Sequence, residues 1–200
     1  MSDQELLITS FRDLSPRYTA FAEQDDEDGN PIYLFSSFGF FTPEYDAYFG
    51  QSKSKVTTLS VEEIKGCLQR LPDDDVYPKI PTSAITTFWG PIDEKIFLKK
   101  PKLNIVFIGT GLLPKLMLQE VETLELLIRM PHPNIIRYHG CLTKRGRIVG
   151  LAFDRYEDTL QQRLERIRHI DVDRFIVQIE SALEHLHMLG LAHNDVSRVD

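Results

Sequence analysis

Cysteine is scarce in this 200-residue chain: only Cys67 and Cys141 occur, and neither has a CxxC partner. That pattern argues against a disulfide framework or a zinc ribbon and leaves two reduced thiols acting as small hydrophobes. A long apolar run is missing too. No stretch approaches the ~20 residues a transmembrane helix requires, and the opening MSDQELLITSFRD lacks the basic start and apolar centre of a signal peptide. The expectation is an intracellular, cytoplasmic protein with no membrane partner. Basic charge is in deficit: 23 Lys and Arg against 30 Asp and Glu give a net charge of -7. That removes the electrostatic footprint of a nucleic-acid binder. The six histidines assemble no metal set by spacing, and His185 and His187, two apart on a predicted helix, face different ways. A small soluble ligand or a protein partner is the class that remains.

What is present describes a globular α+β chain. The hydrophobic fraction of 42% and charged fraction of 26% are those of an ordinary soluble domain, and a chain this long buries roughly 70% of its unfolded surface. Up to about residue 50, the aromatic runs PIYLFSSFGFF and YDAYFG, separated by turn residues, predict short strands. The acidic run Asp25 to Asp28, followed by Gly29 and Asn30, predicts a solvated turn between two of them, since consecutive carboxylates lack the alternate spacing of a calcium loop. Ser60 and Glu63 form a capping box. Val61, Ile64, Leu68 and Leu71 then repeat at helical spacing until Pro72 and the acidic turn Asp73 to Asp75. A proline-marked connector follows, entering a strand around Ala84 to Phe88, with a soft domain boundary near residue 78.

In the second part, KIFLKKPKLNIVFIGTG reads as two strand-like runs around a basic patch. GTGLLP then opens a helix with an apolar stripe of Met117, Leu118, Val121, Leu124, Leu127 and Ile128, closed by Pro131. IIRYHGCL, the basic turn TKRGR and IVGLAF predict a hairpin. The helical TLQQRLERIRHI leads to the clearest helix of the chain. Val172, Phe175, Ile176, Ile179, Leu183 and Leu186 share one face of it, an aspartate at 171 or 173 caps it, and Gly190 supplies the turn out. That turn delivers His193, Asn194 and Asp195.

An aspartate two places after a histidine, reached from a long amphipathic helix, is the opening of a catalytic loop of the HRDxxxxN kind. With PHPNIIRYHGC, GRIVGLAFDRYEDTLQQRL and GLAHND in the order given, the chain from about Lys95 to Val196 resembles a eukaryotic-type protein kinase domain, and its wording is similar to kinase-like proteins of filamentous fungi. The resemblance implies an antiparallel-sheet N-lobe over about 79–153 and the first helices of a C-lobe over 154–200, behind a leader of residues 1–78. It implies ATP and Mg2+ as cofactors and a protein Ser/Thr substrate, or else a non-catalytic module that binds a protein partner. Lys99, in IFLK, takes the place of the phosphate-pairing lysine, with Lys100 the neighbouring candidate. Its carboxylate partner is Glu120, on the packed side of the helix, although Glu122 fits the family spacing to the HPNI turn better. Phe153 guards the rear of the adenine pocket, and Asp154, Arg155 and Tyr156 form the hinge. Asp195 is the catalytic aspartate, His193 braces it, and Asp200 stands at the metal-binding position.

Departures from the family pattern are equally legible. TTFWGPIDEK before Lys99 contains one glycine, Gly90, and no GxGxxG; Asn194 replaces the usual arginine, which implies no control through activation-loop phosphorylation; and no DFG segment occurs in the 200 residues. Without further C-lobe helices, several apolar side chains of the last helix are expected to face water, each forfeiting roughly 1.5 to 3 kcal/mol. A poorly soluble or partnered chain is the expectation.

Overall fold

A computed structural model describes residues 6–166, 170–194 and 196. It is α+β, with a four-stranded antiparallel sheet in the order β1-β2-β3-β4 and a three-stranded sheet in the order β5-β7-β6. The chain divides into two compact units. The first takes residues up to 80 together with 100–119 and 143–149; the second takes 81–99, 120–142 and the remainder from 150 onward.

In the first unit the strands are β1 (Arg17–Phe21), β2 (Tyr33–Phe41), β3 (Ala47–Ser52) and β4 (Gln69–Arg70). The aromatic run that becomes β2 is central: Ser36, Ser37, Phe38 and Phe40 are buried, and Phe38 and Phe40 join Ile8, Leu14, Ile64 and Leu68 in one core cluster. The acidic run after β1 is the exposed turn its sequence predicts. Asp26 Oδ1 accepts the backbone N–H groups of Asp28 and Asn30 at 3.0 and 2.8 Å, using one carboxylate to satisfy a tight turn. Helix α1 (Val61–Cys67) begins at the expected box, with the Glu63 N–H reaching Ser60 Oγ and the Ser60 N–H reaching Glu63 Oε2.

Three details differ here from the sequence reading. Helix α1 stops at Cys67, before Pro72, because Gln69 and Arg70 leave it to pair with β3. Asp73 to Asp75 do not form a free turn: they are the first turn of the short α2 (Asp73–Val76), where carboxylates favour the positive end of a helix. NIVFIGTG is also not a strand. Asn104 starts turns instead, its Oδ1 taking the Val106 N–H at 3.1 Å and its carbonyl the Phe107 N–H at 2.9 Å.

The second unit holds β5 (Ile96–Lys99), most of the hairpin β6 (Tyr138–Lys144) and β7 (Arg147–Asp154), the C-terminal half of α3 (Leu112–Arg129), α4 (Leu160–Arg166) and α5 (Val172–Met188). The predicted strand at Ala84 to Phe88 is reduced to one bridge, Thr87 to Cys141. Its backbone bonds are few: Cys141 N–H to Thr86 O at 2.7 Å and Phe88 N–H to Cys141 O at 2.9 Å. Along β5 the side chains alternate, Ile96 and Leu98 half-buried, Phe97 and Lys99 exposed, so Phe97 and Lys99 share a face. Asp171 rather than Asp173 caps α5, accepting the Arg174 N–H at 3.1 Å. Where α5 ends, Gly190 at φ 74° lets the Leu191 N–H reach back to Leu186 O and its own N–H to His187 O, both at 2.9 Å. A side chain at that φ would be strained, so glycine fixes the exit of the chain toward His193.

Candidate functional site

Lys99 Nζ lies 2.5 Å from Glu120 Oε1. Strand alternation explains the lysine and helical spacing the carboxylate, because Glu120, Thr123 and Leu127 recur at three and four residues on one stripe of α3. Glu122, on the other side, is exposed. Lys100, pointing the opposite way from Lys99, sits instead over the rings of Phe41 and Tyr45 in the first unit, at 5.1 and 5.6 Å from their centroids. The structure thus pairs Lys99 with Glu120, seats Lys100 over aromatic rings and leaves Glu122 exposed.

Beside that pair runs an open groove of about 1000 Å3, lined by Phe97, Thr123, Leu127, the chain from Asp154 to Thr159, the inner face of α5 and the segment through His193. Phe97 stands two residues before Lys99 on the same face, roughly 6.6 Å along the strand. Leu127 lies two turns beyond Glu120 on the same helix stripe. The ion pair therefore continues the wall of the groove without being part of its lining.

Of the four residues predicted to meet a nucleotide base, three line this groove: Asp154, Arg155 and Tyr156. Phe153 is buried and packs at a tilt against Tyr138, with ring centroids 5.5 Å apart, so it is a core residue behind the groove. The Asp154 and Arg155 amides are already engaged, donating to Arg137 O at 3.0 Å and Lys95 O at 2.8 Å. The Arg155 guanidinium donates to Ile96 O at 3.1 and 3.2 Å, which turns it toward its own sheet. His193 lines the groove and is exposed. Asp195 and Asp200 lie outside the described residues. Among the described residues no group of three or more His, Cys, Asp and Glu could hold a metal ion.

Several supports of the site were not singled out in the sequence. His139 Nε2–H donates to Asp154 Oδ1 at 2.6 Å, orienting the first groove-lining carboxylate. Glu125 accepts both the N–H and the hydroxyl of Thr86, at 2.8 and 2.9 Å, tying the connector to α3. His132 meets Ser181 Oγ at 3.2 Å and stacks on His185 at 4.9 Å, while His185 donates to Met130 O at 2.8 Å. These contacts join residues far apart in sequence, and only the phenylalanine on the charged face of IFLK gave a local sign of a groove. Cys141 is buried against Tyr138, sharing a 3.0 Å hydrogen bond with its hydroxyl; burial pushes the thiol up to about 11 and pushes the phenol up as well.

No family model, curated protein or solved structure matches the chain. The described helices include none long and apolar enough to cross a membrane.

Proposed function

We propose that the second unit is a protein-kinase-like nucleotide site, whose activity is transfer of the ATP γ-phosphoryl group to a serine or threonine hydroxyl of a protein. The observation that carries this reading is the Lys99–Glu120 pair at 2.5 Å, on the strand face that continues into the groove. Glu120 holds the ammonium in place, while 49% of the Lys99 side chain stays exposed, leaving its outer side open to a phosphate oxygen. Phe97 offers an apolar wall to a planar ring, and the Tyr156 N–H, which makes no hydrogen bond among the described residues, is the hinge donor left for it. Bound ATP supplies the phosphoryl group; the residues of this chain bind it, orient it and, through Asp195 on the strength of the resemblance, hold the proton of the acceptor hydroxyl.

The fit is incomplete at the phosphates. A Cβ on Gly90 would meet the Phe88 ring at 2.8 Å, so this glycine serves local packing rather than a backbone cradle. The role of magnesium rests on Asp200 and the resemblance alone.

A second reading is a non-catalytic, pseudokinase-like module that binds a protein. It is favoured by the lack of a phosphate cradle and by the exposed apolar residues of α5, Val172, Ile176, Val177 and Met188.

The test is phosphoryl transfer from labelled ATP with Mg2+ to a generic protein acceptor, comparing the native chain with Asp195→Asn. Transfer that is abolished in the variant while ATP binding persists supports the enzyme. Transfer that is unchanged removes Asp195 from the mechanism, and ATP binding without any transfer favours the module.

A further inference from the structure

Strand β1 has a neighbour on one side only, because it ends the sheet ordered β1-β2-β3-β4. The Gly39 N–H donates to Pro16 O at 2.9 Å and the Ala22 N–H to Ile32 O at 2.8 Å, so the even-numbered positions turn their backbone groups to β2. Arg17, Thr19 and Phe21 therefore turn theirs outward. Among the described residues, these outward N–H and C=O groups take no hydrogen bond. Such an edge is ordinarily blunted by lysine, proline or a bulge. RYTAF carries neither residue, and the irregularity at Ala20/Phe21 adds Leu34 to β2 while β1 gains no extra residue. All three outward residues are exposed, Phe21 at 52%, and Leu34 beside it is exposed at 47%. Free donors and acceptors next to exposed apolar side chains form a surface that another strand completes.

We propose that this edge is a self-association site, where β1 pairs antiparallel with β1 of a second copy of the chain about a two-fold axis through Thr19. The strand is complementary to itself in that register. Thr19 faces Thr19 of the second copy, and Arg17 faces Phe21 of the second copy at both ends. All the outward groups are then used, in about six backbone hydrogen bonds, and any other register pairs fewer of them. No like charges stand opposite each other. A threonine pair and a guanidinium beside an aromatic ring are both favourable cross-strand neighbours. Arg17 is held on this face by Phe11, whose ring centroid lies 5.6 Å from the guanidinium carbon. The symmetric match of bonds and side chains selects a second copy over an unrelated extended segment. A contact built on a five-residue strand stands at the small end of protein interfaces, so the dimer is reversible and depends on concentration. It joins the two four-stranded sheets into one and does not depend on the kinase-like reading.

The experiment is sedimentation of the full chain at rising concentration, for the native protein and Thr19→Lys. The substitution sets two ammonium groups opposite each other on the axis and removes no hydrogen bond within one chain, so the dimer should weaken roughly tenfold or more. Mild oxidation in a Cys67→Ser background locates the contact. Thr19→Cys should give a disulfide-linked dimer, because facing residues lie about 5.5 Å apart at Cα, within reach of a disulfide. Arg17→Cys, which faces Phe21 of the second copy, should give far less. A native chain that stays monomeric overturns the proposal. So does Thr19→Lys associating as tightly as the native chain, or crosslinking of Thr19→Cys no faster than that of Arg17→Cys.

Discussion

The two units use their large side chains differently. In the first, Phe38, Ile64, Val76, Tyr77 and Leu103 are wholly buried, and the basic turn of the hairpin is tied down: Arg145 Nε bonds Asp73 at 2.9 Å and its Nη1 bonds Glu44 O at 2.6 Å, while Arg147 pairs with Asp74. In the second, α5 has one buried residue, Leu186, and keeps Phe175, Ile179 and Leu183 half-buried along an open groove. A unit whose largest side chains are wholly buried and whose hairpin arginines are tied to its own carboxylates has the marks of a scaffold. One that leaves an apolar groove beside an accessible ion pair has the marks of a binding unit.

The largest expected effect comes from opening the first unit. Phe38→Ala should cost about 3 to 5 kcal/mol, because the ring has no exposure and its neighbours come from several elements. Denaturant midpoints measure it, and a loss below about 1 kcal/mol would mean that the core cluster collapses into the space. Arg145→Ala is a smaller blow, about 1 kcal/mol, since its side chain is 39% exposed and water can replace part of what it provides. Its loss should shrink further in high salt.

The two cysteines report on the units separately. Half-buried Cys67 should react with a thiol reagent in the native chain, whereas buried Cys141 should react only after the second unit opens. The Cys141 thiol also carries an alkaline signature. Its folded pKa is raised, so its contribution is fully present below about 9 and is lost as pH rises toward about 11. Cys141→Ala should make that decline shallower, while the raised Tyr77 and Tyr138 keep part of it.

The smallest expected change is on the outer side of α5. Ile176→Gln and Val177→Ser should shift stability by no more than about 0.5 kcal/mol, because both side chains are exposed. They should reduce self-association in sedimentation, and an unchanged sedimentation profile would detach that face from any partner role.

What the sequence made legible follows from local physics. Capping at Ser60 and Asp171, the glycine exit at Gly190 and the 145–146 hairpin turn depend on neighbours within a few residues, and all are present. In the structure the lysine singled out by the resemblance, Lys99, meets Glu120, the glutamate on the packed side of the helix, rather than Glu122, which fits the family spacing. The misreadings have another cause. NIVFIGTG has strand composition and gains no partner strand, while Ala84 to Phe88 meets β6 at a single bridge. Pairing of Asp73 and Asp74 with Arg145 and Arg147 joins residues some seventy positions apart, each of which looks solvated by itself.

The measurement closest to the central claim is thermal unfolding with and without ATP and Mg2+, for the native chain, Lys99→Met and Glu120→Gln. At a concentration 100 times its dissociation constant, ATP should add about 2.7 kcal/mol to the native chain. The gain should vanish in Lys99→Met and weaken in Glu120→Gln, whose amide no longer holds the ammonium. No gain in the native chain, or an equal gain in all three proteins, would contradict the assignment of the Lys99–Glu120 pair to a nucleotide site.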